Sequence, residues 1–115
     1  MLDEQSFFDV LSDETRRRIL NLLLKEQELC VCELFYALDM AQPKVSRHLA
    51  VMRESGVLAI HKVGTWVFYR VHPQLPYWAA KILEIMADGL SDIPVFRQDM
   101  VKLSGMSNRP AKCCA

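Results

Sequence analysis

Neither sign of charge prevails in this chain: 14 basic and 14 acidic residues leave a formal net charge of zero at neutral pH. That balance excludes a protein that grips polyanions by bulk charge, and it leaves room for a DNA reader whose positive residues are gathered on one face. No apolar run approaches the roughly 20 residues needed to span a bilayer. The start, Met1-Leu2-Asp3-Glu4-Gln5, lacks the basic region and long apolar stretch of an export signal. A Gly-rich loop, a C-x-x-C pair and a Cys–His–acid arrangement are also missing, so nothing supports a thiol enzyme, and no catalytic residue or catalytic cofactor is expected. There is no internal repeat or low-complexity block. These absences lead to the expectation of a cytoplasmic, non-membrane protein whose thiols stay reduced. Its four cysteines then read as metal-binding, redox-active or buried rather than as a disulfide framework.

What is present fits one small core. A chain of 115 residues supports a single domain, and an apolar fraction of 51% is high enough to hint at a further buried face such as a subunit interface. A short helix is expected from Asp3 to Val10, with Phe7, Phe8 and Leu11 on one side. Ser12 is expected to cap the next helix, with Asp13 and Glu14 at its positive end and Ile19, Leu20, Leu23 and Leu24 facing the core. Arg16, Arg17 and Arg18 on that helix read as a solvated face more readily than as phosphate contacts. Glu28 to Leu38 is expected as another short helix, with Leu34, Ala37 and Leu38 inside. Pro43 opens the helix after it at an early position, where a missing N–H costs nothing. Val45, Leu49 and Met52 make a buried stripe there, and Gly56 ends it. Two β-branched, aromatic-rich runs, 57–63 and 66–71, flank Gly64-Thr65 as a hairpin. A strong helix stopped by Gly89 should follow from Tyr77, then a weaker one from Ile93 to Leu103. The expected division is a DNA-binding and dimerisation domain over 1–92 and a C-terminal helix and loose tail over 93–115.

Two short helices, a tight turn and a hairpin make a winged helix-turn-helix, mainly α with a β-hairpin. With Val45, Leu49 and Met52 turned inward, Gln42, Lys44, Ser46, Arg47 and His48 are left along the outer N-terminal half of the second helix, the part that enters a major groove. Gln reads adenine, Lys or Arg reads guanine, and Ser serves base or phosphate. Lys62, Thr65 and Arg70 are the wing residues expected near flanking phosphates of double-stranded DNA. His48 is ambiguous between a phosphate contact and local packing, while His61 and His72 read as surface histidines.

Glu28-Leu29-Cys30-Val31-Cys32-Glu33-Leu34, Gln42-Pro43-Lys44-Val45-Ser46-Arg47-His48-Leu49, Arg53-Glu54-Ser55-Gly56 and Trp66-Val67-Phe68-Tyr69-Arg70 together resemble the arsenic-responsive repressors of the ArsR/SmtB family, from about Phe7 to Met86. The resemblance implies a homodimeric repressor of a metalloid-resistance operon, bound to operator DNA and released by As(III) or Sb(III) as inducer. It also implies a dimer built from the first and last helices, here Phe7, Phe8 and Leu11 with Trp78, Ile82, Ile85 and Met86. One position departs from the family pattern: a third cysteine expected three residues after Cys32 is replaced by Phe35. Cys113 and Cys114 are left either as further ligands, as a separate pair, or as solvated thiols.

Cys30 and Cys32 are the expected metal ligands, since soft thiolates select soft metals and metalloids. Residues two apart on a helix point to nearly opposite sides, so sharing one ion would have to distort the first helical turn and shift the DNA reader. A buried, inert role is the plain alternative for both. Sensing of Zn(II), Cd(II) or Pb(II), and redox sensing through a disulfide, are the competing regulatory readings. A zinc site on the late helix is disfavoured, because Glu84 and Asp88 are its only candidate ligands and it carries no His.

Overall fold

The computed structural model describes residues 2–106, and these fold into six helices and a small sheet among the described residues. Helix α1 (Glu4–Leu11) is capped by Asp3, whose carboxylate accepts from Ser6 N at 3.0 Å. Helix α2 (Glu14–Glu26) is capped by Asp13, which accepts from Arg16 N. The cap is therefore one residue later than expected. Ser12 instead closes α1, with its backbone N–H and hydroxyl both directed to Asp9 O. A carboxylate at position 13 reaches the open N–H groups of α2, and Ser12 is already committed to the preceding helix.

Helix α2 is the centre of the molecule. Ile19, Leu20, Asn21, Leu22 and Leu23 are all buried in succession, as in a helix enclosed on nearly every side rather than a surface helix with one apolar stripe. It ends at Gln27, which adopts φ 74° and turns the chain. The segment expected to be helical from Glu28 differs here. Leu29–Cys30 form a two-residue strand, β1, and helix α3 begins only at Val31 and runs to Leu38. The extended conformation is held by pairing with a later strand, which local sequence cannot reveal.

Helix α4 (Gln42–Glu54) follows after a turn of residues 39–41, and Val45, Leu49 and Met52 are fully buried as the stripe requires. Its end is a Schellman closure: Gly56 N bonds Arg53 O, Val57 N bonds Met52 O, and Gly56 takes φ 88°. Strands β2 (Leu58–Val63) and β3 (Trp66–Val71) pair antiparallel, with Val63 opposite Trp66 and Gly64 at φ 62° in the two-residue turn. The sheet order is β1-β3-β2, with Leu29 opposite Tyr69 and Cys30 opposite Phe68. Helix α5 (Tyr77–Leu90) runs through Gly89 instead of stopping there, and Ser91 closes it by donating to Ala87 O. Helix α6 (Pro94–Ser104) packs against α3 and α2. No helix among the described residues is long and apolar enough to cross a membrane.

Left-handed backbone at Gly56 costs a side chain about 1–2 kcal/mol. Gly56→Ala should lower the unfolding free energy by about that amount in urea titration; an unchanged midpoint would contradict the closure described for α4.

Candidate nucleic-acid interface and cysteine pair

Helices α3 and α4 form the helix-turn-helix, and burial of Val45, Leu49 and Met52 fixes which side of α4 faces outward. Gln42, Lys44 and Arg47 are exposed there, and Ser46 is half-buried. Gln42 Nε2 donates to Ser46 Oγ at 2.6 Å, which pre-orients the two amide and hydroxyl groups along one ridge. His48 is placed differently. Its ring is largely covered and lies between α4 and the cap of α2, with Nδ1 4.0 Å from Asp13 Oδ2. Burial pushes its pKa below the ordinary value, with the Asp13 carboxylate opposing that shift and Arg16, Lys44 and Arg47 adding to it.

On the hairpin, Lys62 and Thr65 are exposed beside the turn. Arg70 lies apart from them, opposite Ala59 near the hairpin base. It is roughly 17 Å from Thr65 at a strand rise of about 3.3 Å per residue. Its Nε is buried with no hydrogen-bond partner among the described residues.

The three arginines of α2 are committed to partners within the chain. Arg16 donates to Asp9 O and Val10 O, and Arg17 donates to Leu11 O, so both close the C-terminal end of α1. Arg18 forms two hydrogen bonds to Asp99 on α6, at 2.9 and 2.7 Å. The reading of these residues as a solvated face gives way to guanidinium groups that satisfy open carbonyls and a buried carboxylate, because the short α1 leaves its last carbonyls within their reach.

Cys30 and Cys32 do not share a regular helix. Cys30 is extended (φ −84°, ψ 166°), belongs to β1 and is the N-cap of α3, whereas Cys32 is in the first helical turn. The premise that helical geometry holds the two sulfurs on opposite sides therefore does not apply to this segment. Cys30 is fully buried and Cys32 half-buried. The Cys30 N–H donates to Glu33 Oε1 at 2.9 Å, and the pair makes a capping box with a buried acid. The Cys-x-x-Glu spacing carries this signal in the sequence, because it matches the capping-box pattern with sulfur in place of a hydroxyl. Phe35 is half-buried against the core, where the sequence lacks a further thiol. Among the described residues no group of three or more His, Cys, Asp or Glu is arranged to hold a metal. Cys113 and Cys114 lie outside the described residues. Glu84, paired with Lys81 at 3.3 Å, and Asp88 are both exposed on α5.

Of the residues expected at a subunit interface, Phe7 is fully buried within the single chain, edge-on to Phe8 and Trp78 at 5.3 and 5.2 Å. Phe8 and Trp78 stack at the surface, and Ile85 is 59% exposed. Leu11, Ile82 and Met86 are half-buried beside them. Phe7 thus supports an apolar band on α1 and α5 without forming its outer surface.

The sequence profile of the family described as "Bacterial regulatory protein, arsR family" matches residues 13–59. The chain is 44% identical over 103 residues to the arsenic resistance transcriptional regulator ArsR1 of Pseudomonas putida, covering 90% of this chain and 79% of that protein. It is 40% identical over 117 residues to ArsR2 of the same organism, described in the same words, covering 99% of this chain and all of that protein. Among solved structures, HlyU from Vibrio cholerae superposes with a TM-score of 0.64 at 29% identity, over 72% of this chain and 86% of that one.

The lowered pKa of His48 has a signed consequence. The folded state binds the proton more weakly than the unfolded chain does, so this contribution to stability is complete above the ordinary value of about 6.5 and is lost as pH falls through the lower folded value. His48→Gln should flatten the pH dependence of the urea midpoint below about pH 6.5. An unaltered pH profile would remove His48 from that role.

Proposed function

The chain belongs to the ArsR family of bacterial regulatory proteins, transcriptional regulators rather than enzymes, and from that premise we propose that it represses a metalloid-resistance operon until As(III) or Sb(III) binds Cys30 and Cys32. Two copies joined through the apolar band of α1 and α5 present two α4 helices to successive major-groove half-sites of operator DNA. Gln42, Lys44, Ser46 and Arg47 read base edges and phosphates, and Lys62 and Thr65 bring the wing to the flanking backbone. His48 contributes by holding α4 against α2. Arg70 stands at the base of the wing, away from the turn that carries Lys62 and Thr65.

The observation that carries the proposal is position. Cys30 and Cys32 sit at the N-terminal end of the same eight-residue helix whose C-terminal end turns into α4. Soft thiolates select soft metals and metalloids, and two relatives are arsenic resistance regulators by name. For both sulfurs to face one guest atom, Cys30 must leave its buried setting. That movement would strain the Leu29–Cys30 pairing with β3 and the Cys30–Glu33 capping box together. α3 starts from both, so its displacement reaches α4 and the hairpin. The inducer acts only as far as it binds the displaced state more tightly.

Serine is a better helix cap than cysteine, so Cys30→Ser should fold and bind DNA normally while losing the response to arsenite. On a duplex selected from a randomised pool by the wild-type chain, Cys30→Ser and Cys32→Ser should each need at least about tenfold more arsenite for release, a coupling loss of roughly 1.4 kcal/mol. Normal release from either variant would refute the thiol assignment. Arg47→Ala should weaken binding to the same duplex by about 1–3 kcal/mol, read by fluorescence anisotropy; full affinity would refute the reading face.

A further inference from the structure

Arg18 and Asp99 are 81 residues apart in sequence and meet in a doubly hydrogen-bonded ion pair, with side chains only 11% and 3% exposed. Arg18 Nη2 also donates to Leu38 O at 3.2 Å, the last carbonyl of α3. The fork of one guanidinium therefore joins three helices at one point: α2, which carries it, α6, which supplies the carboxylate, and the end of α3. Two further contacts fall on the same turn. Thr15, one helical turn before Arg18 on α2, donates its hydroxyl to Met40 Sδ at 3.9 Å. Lys102 on α6 lies 3.4 Å from Asp39 Oδ1 and over the Tyr36 ring at 5.1 Å. The Lys102–Asp39 pair is exposed and contributes little by itself. The buried, two-bond Arg18–Asp99 pair is the one with geometric authority, because a planar fork fixes direction as well as distance.

The geometry points to Arg18 and Asp99 as positioning residues for DNA reading: they brace the turn between α3 and α4 and so set the angle at which the reading helix leaves the body. The inference rests on the reading of α4 as the element that enters the groove. Arg18 is closed off against α6 and the end of α3, so its effect on DNA runs through α4 and not through a phosphate. The reading residues lie within five positions of Gln42, the first residue of α4, about 7.5 Å at 1.5 Å per residue, so a tilt of about 15° at the turn moves Arg47 by about 2 Å. Hydrogen bonds to base edges do not survive such a shift. Asp39 is in the left-handed region at φ 56° and bonds Tyr36 O, while Met40 bonds Phe35 O. Those bonds define the turn locally, and the brace fixes it relative to α2.

Two variants test this, Asp99→Asn and the double replacement Arg18→Met with Asp99→Leu. The second removes both charges at once, and buried ion pairs commonly tolerate replacement by apolar side chains of similar volume, so it keeps the test open if the single variant does not fold. Each is titrated against the selected duplex and against a scrambled duplex of equal length, at a temperature where it is fully folded. Loss of an acidic residue by charge alone strengthens binding to both DNAs. Loss of positioning weakens only the selected duplex, by about tenfold for one misplaced base contact, and leaves the scrambled one unchanged or tighter. That split is the expected result. Equal changes on the two duplexes, in either direction, or no change, would overturn the brace. Arg47→Ala run alongside separates the two readings: if it loses the selected duplex while the double variant keeps it, the brace falls and the reading face stands, and if both keep full affinity, both ideas fall.

Discussion

Helix α3 has eight residues, too few to persist as a helix in water without support, so its geometry is imposed by what pins its two ends. At the N-terminal end, Leu29 and Cys30 pair with Tyr69 and Phe68 of the central strand, and Glu33 folds back onto the Cys30 N–H. At the C-terminal end, Arg18 holds Leu38 O while bound to Asp99. Between the pins, Leu34, Ala37 and Leu38 are buried against the core. Cys30 and Cys32 lie at one pin and α4 begins just beyond the other; under the proposed function, that one short element is the route from inducer to DNA.

The zero net charge becomes intelligible once the cations are followed to their partners. Arg16, Arg17 and Arg18 are spent on the carbonyls of α1 and on Asp99. Lys44, Arg47 and Lys62 remain exposed on α4 and the hairpin. Under the proposed reading of α4 and the wing, the DNA-facing surface is made by where a few cations are left exposed, not by an excess of them. The half-buried His48 ring lies beneath α4, 4.0 Å from the Asp13 carboxylate that caps the buried central helix.

Aromatic packing at α1 and α5 follows the same economy. Phe7 is fully inside, and its edge-on contacts present Phe8 and Trp78 as a stacked pair at the surface. The ordered core residue prepares the outer ones, so the apolar band beside Ile85 requires little rearrangement to be covered.

Local chemistry alone decided the stripe of Val45, Leu49 and Met52, the glycine closure at Gly56, the hairpin turn at Gly64 and the outward face of α4, because each depends on residues only a few positions apart. The two-residue strand at Cys30 was not legible in that way. It exists only because a partner strand nearly forty residues later offers hydrogen bonds, and the local pattern of Glu28 to Leu38 reads equally well as helix. The tertiary structure therefore moved Cys30 out of a regular coil and into a buried cap, so the proposed sharing of a guest atom with Cys32 starts from a strand–helix junction and not from within a helix. It also made the Arg18–Asp99 pair, whose members carry no sequence signal of their meeting: a charged residue on a helix is ordinarily solvated, and only the docking of α6 onto α2 and α3 removes that water.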